Sequence, residues 1–212
     1  MNASKRTPVI AFELLAQRHC TADYLGWLKD PDVNAFLEVD PSSLTINALR
    51  DYVSEGVSSC TRVNFAIVLD SSHIGNCSLY TVEGDEPSVF RTGWFIGEKR
   101  FWGGHVSTSV MFMMFEIGFE IFEKEMCIGA VHRCNAKARI SNRYIGFEEV
   151  GTYVSYSKRR QCNVEAVRIS LDRDGWRARR SWLVSRHPEI YGHLGTYAKF
   201  FANSNPDSVL LI

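Results

Sequence analysis

An α+β domain, with helices on both faces of a mixed and mostly antiparallel sheet, is predicted by three observations. The apolar segments alternate in kind along the chain: one strand, two helices, three strands, a helix, a strand, a helix and two strands. That irregular order implies mixed connectivity rather than a βαβ repeat or a pure bundle. The run from 110 to 122 is apolar except for Glu116 and Glu120, spaced i,i+4, so one helix is buried around most of its circumference. The composition, 45% hydrophobic and 23% charged over 212 residues, is that of a globular chain large enough for a proper core.

Each element has its own signal. Residues 8–15 read as the first strand. Thr21 caps a short helix over 22–30 with Tyr24, Leu25 and Leu28 on one face, stopped by Asp30-Pro31. An irregular segment carries Glu38 and Asp40, and Thr45 opens a second helix that Gly56 closes. Residues 64–70 and 73–82 alternate as two strands joined at Ser71-Ser72, and a Gly-Asp-Glu-Pro loop leads to a strand over 89–97. Ser107, Thr108 and Ser109 offer N-cap hydroxyls to the long helix. Residues 126–132 are a buried-type strand, and 135–144 a helix with Asn135 at its N-cap and Gly146 just past its end. Residues 147–156 and 165–171 form a hairpin about the basic turn 157–161. An arginine-rich helix over 175–185 follows. A single domain is expected, its core at about 10–185 with a helical tail over 186–212.

The stretch from 93 to 122 is where chemistry is placed. A short strand, Trp94-Phe95-Ile96, feeds a loop containing Gly103 and Gly104 and then a helix N-terminus. Unpaired N–H groups and the helix dipole, roughly half a positive charge, make such a turn a site for anions. A plain strand–turn–helix connection has the same pattern.

The segment Ile96-Gly97-Glu98-Lys99-Arg100-Phe101-Trp102-Gly103 resembles the strand-to-helix loop of the GNAT acyltransferases, in the branch with ribosomal-protein, polyamine and amino-sugar N-acetyltransferases. A second stretch, Asn135 to Phe147, is similar to the family's late helix: an Asn, a small residue three places on, and a hydrophobic-Gly-Phe ending. The early pieces WLKDPDVNAFLEV, TINALRDYV and HIGN fit as well, so the resemblance runs from about 10 to about 185. It implies the GNAT fold, acetyl-CoA as co-substrate, and acetyl transfer to a small-molecule primary amine. The first acceptor it suggests is an amino sugar attached to a nucleotide. The competing reading is a degenerate GNAT module that binds a ligand or a partner without turnover.

The resemblance also implies site residues. Amides around Phe95 and Ile96 would orient the pantetheine, and Trp102, Gly103, Gly104, His105, Val106, Ser107 and Thr108 would form the pyrophosphate loop. Asn135 would contact CoA, with Arg139 as a phosphate ligand. The chain departs from the family at several of these positions. His105 stands where a glycine is usual and Ser107 where the last small residue is. Arg91 takes the place of a frequent carboxylate, and Ala138 that of a serine found in some relatives. Asn142 falls where many relatives carry an acid tyrosine, and Tyr144, about 200° further round the helix, is expected to face the core.

Transfer to an amine with a pKa near ~10.4 requires removal of a proton. Glu38, Asp40 and Glu98 are the available carboxylates; Glu38 is the first choice as base, with Asn142 at the acid position. Other function classes fare worse. A formal net charge of zero, from 24 basic and 24 acidic residues, argues against a nucleic-acid partner. No segment reads as a membrane span or signal peptide, so a cytoplasmic location without a membrane partner is expected. Six cysteines without a CxxC read as reduced thiols, and His132-x-Cys134 alone makes a weak metal pair, so no metal is expected. Trp176 and Trp182 among arginines fit an amphipathic helix with its Trp face buried, or a subunit contact in a homodimer.

Overall fold

The computed structural model describes residues 10–157, 159–192 and 194. Seven strands form one sheet in the order β1-β2-β3-β4-β5-β7-β6. They are β1 (Ile10–Leu14), β2 (Arg62–Leu69), β3 (Ser72–Tyr80), β4 (Val89–Ile96), β5 (Met126–His132), β6 (Glu148–Ser157) and β7 (Cys162–Asp172). Every neighbouring pair is antiparallel except β4 and β5. The helices are α1 (Ala22–Lys29), α2 (Ile46–Val57), α3 (Gly104–Phe115), α4 (Ala136–Ile145), α5 (Arg173–Arg186) and α6 (Pro188–Tyr191). The predicted order of strands and helices is the observed one. The start of the first predicted strand and most of the C-terminal tail lie outside the described residues.

Caps set most boundaries where the sequence places them. The Thr21 hydroxyl accepts from Tyr24 N–H at 3.2 Å and Thr45 from Ala48 N–H at 3.1 Å. Asn135 Oδ1 accepts from Ala138 N–H at 3.1 Å, and Gly146 ends α4 in the left-handed conformation, φ +115°. Two details differ, the β2–β3 turn and the start of α3. The β2–β3 turn is at Asp70-Ser71, with φ of 47° and 67°, one residue earlier than expected; two consecutive left-handed residues match the twist of the hairpin. Helix α2 covers the expected INALRDYVSEGV, Ile46–Val57. Helix α3 begins at Gly104, a full turn before the expected hydroxyl caps. Gly103 and Gly104 take φ of 81° and 59°, which turns the chain into the helix early and leaves Thr108 and Ser109 buried inside it.

The sheet separates two cores. On one face α3 lies with α4 and α5, and from Thr108 to Phe119 every residue is buried. The helix widens into a π-turn over Glu116–Ile121, where Phe122 N–H reaches Ile117 O at 2.8 Å. Trp176 is fully buried between Phe112 (5.1 Å) and Phe115 (5.4 Å). Glu116, buried in the same core, is neutralised by a two-pronged bond from Arg180 at 2.6 and 3.1 Å, which ties α5 to α3. On the other face α1 and α2 cover a smaller cluster around Trp27, Leu49, Ala66 and Val68.

Candidate active site

The site follows from the one parallel pair. Strands β4 and β5 pair only at Val89↔Met126 and Phe90↔Cys127 and then part. Beyond that point β4 stays bonded to β3 on its other edge as far as Gly97, whose N–H donates to Ile74 O at 2.8 Å. Alternation along a strand therefore turns the amide and carbonyl of Ile96 toward the opening. The Trp102 indole confirms the direction by donating to Ile96 O at 2.8 Å. The geometry is a wedge-shaped gap in the middle of the sheet, with unpaired backbone on its β4 edge.

The loop at the wide end keeps its access. Gly103 and Gly104 have open space where a side chain would stand. The first amides of α3, from Gly104 onward, have no intrahelical partners and carry the positive end of the helix dipole. The exposed His105 ring rests on His187 (5.1 Å) and Tyr191 (6.4 Å). Val106 and Ser107 are partly buried in the first turn of α3. Two glycines, a run of free amides and an unpaired strand edge fit an extended ligand carrying anionic groups.

A cavity of about 550 Å³ lies on the α1/α2 side of the sheet. Its floor is formed by Asn64, Asn76, Ser78 and Gly93 of β2–β4, and its wall includes Trp94 and Phe95. Leu28, Leu44, Leu49 and Tyr52 cover it. Glu38 is delivered to it by the segment after α1. Asn34, itself buried, donates to Leu28 O (2.6 Å) and Val39 O (3.2 Å) and so fixes that segment. The β6–β7 turn clamps it from outside, with Arg159 and Arg160 donating to Ala35 O.

His132, at the end of β5, lies five residues beyond the last β4–β5 pair, as Phe95 does on β4, so the two stand level across the gap. Its Nε2 is 3.8 Å from Glu38 Oε1, and Phe36 packs on its ring at 5.7 Å. Burial, helped by the nearby Arg160 cation, holds its pKa below the ordinary histidine value, so the ring is neutral at pH 7. Glu38 also accepts from the Ser157 hydroxyl at 2.8 Å. A carboxylate that lines the cavity thus meets a neutral imidazole at the end of β5.

The other sequence candidates are placed elsewhere. Asp40 is turned onto Ser42, and Glu98 accepts from the Trp27 indole at 3.3 Å. Arg139 is bound through both nitrogens to Glu149 at 2.9 Å, and Asn135 Oδ1 serves as a cap. Asn142 is half-buried in α4, while Tyr144 packs on Trp182, away from the gap. Arg91 forms a fork with Asp85 at 2.7 and 2.9 Å. In the sequence His132 stands out only as half of a weak metal pair with Cys134, and Asn64 and Asn76 belong to no motif. The available signal was an asparagine inside each of two strand segments. Among the described residues no cluster of three metal-ligating side chains is present, and no helix is long and apolar enough to cross a membrane.

This fold and wedge define an acyltransferase, and comparison with known proteins gives the same class. Residues 14–148 match the family described as Acetyltransferase (GNAT) domain. The chain belongs to the GNAT acetyltransferase family and is an acyltransferase. A putative acetyltransferase from T. thermophilus superposes with a TM-score of 0.67 at 24% identity, covering 84% of this chain and 93% of that one. Spermidine N-acetyltransferase from Vibrio cholerae, solved with CoA and spermine, gives 0.69 at 12% identity over 79% and 97%. The aminoglycoside acetyltransferase AAC(6')-Ib, solved with coenzyme A, gives 0.66 at 15% over 80% and 98%. No curated protein sequence matches the chain.

Proposed function

We propose that the protein transfers the acetyl group of acetyl-CoA to a primary amine of a small molecule, a nucleotide-linked amino sugar being the first acceptor to test. The observation that carries this reading is the approach of His132, at the end of β5, to Glu38, which lines the cavity. In this scheme the thioester lies in the gap with its carbonyl near the Ile96 amide, which would stabilise the developing oxyanion. The acceptor amine would sit in the cavity and lose a proton to Glu38, directly or through water; its nitrogen would then attack the thioester carbonyl, the C–S bond would break, and the departing thiolate would take up the proton that His132, neutral at rest, passes on. Most of the remaining acceleration comes from holding amine and thioester together. A cytoplasmic, metal-free enzyme goes with this reading.

The family neighbours solved with CoA support the co-substrate, and the free amides of the α3 N-terminus suit its phosphates. One observation favours the rival reading, a binding module without turnover: Arg139 is already held by Glu149 and offers no phosphate contact.

The deciding experiment is calorimetric titration of the full chain with acetyl-CoA, followed by a free-thiol assay over a panel of amines. Saturable binding and amine-dependent thiol release are expected. Binding without release from any amine would leave the module reading in command. Absence of binding by the folded wild type and by His105→Gly would remove the acetyl-CoA assignment.

A further inference from the structure

Burial does not hold Glu38 in place. Half of its side chain is in solvent, and a glutamate has several torsions to fix before its carboxylate can face one point. Hydrogen bonds must do this, and the carboxylate has three polar neighbours. His132 Nε2 is 3.8 Å from Oε1, beyond hydrogen-bond range. The Arg159 backbone N–H reaches Oε2 at 3.5 Å, at the edge of that range. The Ser157 hydroxyl donates to Oε1 at 2.8 Å, a full hydrogen bond to a charged acceptor. Of the three, only Ser157 fixes the carboxylate.

Ser157 is itself built in. It closes β6 opposite Cys162, is 2% exposed, and its oxygen accepts from Arg160 N–H at 3.1 Å. A serine hydroxyl has one proton to give, and here it goes to Glu38. The same turn grips the Glu38 segment again, three residues earlier, where Arg159 and Arg160 donate to Ala35 O. Backbone and side chain are thus both indexed to a turn 119 residues further along the chain.

This arrangement divides the carboxylate. Oε1 takes the Ser157 bond and adjoins the imidazole, whereas Oε2 has only the long Arg159 contact.

We infer that Ser157 is the positioning residue of the proton acceptor: it holds Glu38 Oε1 beside His132 and keeps Oε2 available to the amine. The inference rests on the acetyltransferase reading with Glu38 as base, and deepens it. As the amine is deprotonated an N–H bond breaks, an O–H bond forms on Oε2, and the freed pair on nitrogen attacks the thioester. Ser157 exchanges no proton in this step. Without it the carboxylate swings between cavity and solvent, and only a fraction of bound amines has a base in reach. Ser157 does not line the cavity, so the loss falls on kcat rather than on binding.

The test uses the full chain with acetyl-CoA. Glucosamine, a nucleotide-linked amino sugar, spermidine and kanamycin are the acceptors, and the one that releases thiol fastest is carried through. Ser157→Ala is expected to lower kcat roughly tenfold and leave KM for both substrates within about twofold. Ser157→Cys, whose thiol fills similar space but donates weakly, is the second variant and should change kcat in the same direction. In a Glu38→Gln background, Ser157→Ala should cost less than about twofold more, because no base is left to position. Melting temperatures establish that each variant is folded. An unchanged kcat in the folded variants overturns the inference. So does an equal tenfold loss in the Glu38→Gln background, which a merely structural serine would give. If the wild type acetylates none of the four amines, the acetyltransferase reading falls, and the positioning is judged by crystal structures of wild type and Ser157→Ala. Glu38 is expected on Ser157 in the first, and displaced from His132 or spread over several conformers in the second. A Glu38 that keeps its place without the hydroxyl overturns the inference.

Discussion

The two faces of the sheet use the same strands for opposite purposes. Toward α3, β2 and β3 present Phe65, Ile67, Cys77 and Leu79, all buried in one continuous apolar core. Toward α1 and α2 the intervening positions are Asn64, Ala66, Asn76 and Ser78, and there the sheet floors a cavity. The period of two along a strand makes this possible: one face can be optimised for packing while the other carries polar groups without disturbing it. The α3 face supplies stability, and the α1/α2 face spends part of it on buried donors. Substitutions on the two faces should therefore separate stability from activity.

The largest expected effect is on the α3 face. Phe112 is fully buried, stacked on Tyr191 at 5.3 Å and edge-on to Trp176. Phe112→Ala should cost about 3–5 kcal/mol in urea unfolding, the range for a large aromatic truncated in a core. The rate per folded molecule should stay near wild type. A large loss of rate in a sample shown to be folded would break the division between faces.

The mirror experiment is Glu38→Gln. Half of this side chain is in solvent, and its hydrogen bond from Ser157 survives the change, so unfolding should shift by less than about 1 kcal/mol. The amine would lose its proton acceptor, and kcat should fall about a hundredfold or more. His132→Gln should lower the rate by less and remove the acid limb of the pH–rate profile. In the wild type that limb lies below the usual histidine value, because burial disfavours the imidazolium. An unchanged profile in His132→Gln would take the imidazole out of the proton path.

Gly97→Ala probes the seam between the faces. A Cβ there would run into the Trp27 ring, which α1 lays against the end of β4. Overpacking of this kind costs about 1–3 kcal/mol. Because Trp27 also donates to Glu98 beside the gap, both stability and acetyl-CoA affinity should drop together. A loss of stability alone would mean that the end of β4 adjusts without moving the loop.

How much of this was legible beforehand differs by link in the chain. Element order and most caps were, because Thr21, Thr45, Asn135 and Gly146 act through their own backbone neighbours. The start of α3 was not, since three hydroxyl residues mimic a cap and only the paired left-handed glycines reveal the earlier start. The wedge was legible through resemblance alone: it depends on β4 and β5 being neighbours, a fact of topology that no local pattern carries. His132 and Glu38 are 94 residues apart, and their approach is set by the β6–β7 turn clamping Ala35. Asn64 and Asn76 were visible as asparagines within strand segments, yet their shared face needed the register.

The smallest effect concerns acid, and it too distinguishes regions. His19 and His73 lie under α1 with ring centroids 5.3 Å apart, the former buried and the latter half-buried. Glu13 faces His19 at 3.3 Å, and Asn76, Tyr24 and Trp27 surround His73. Burial is the leading cause that lowers both imidazole pKa values below 6.5. The unfolded chain then binds more protons than the folded one between the lowered values and about 6.5. Stability is fully present above that window and declines as pH falls through it. The Glu13 carboxyl, held low by Arg18, adds its own loss only below the carboxylate range, so the histidines dominate between pH 7 and 5. Urea midpoints at pH 7.5 and 5 should therefore differ in the wild type and differ less in His73→Gln, whose amide can still reach Asn76. Equal differences in the two proteins would mean that the α1/α2 face opens to water on acidification before its imidazoles are charged.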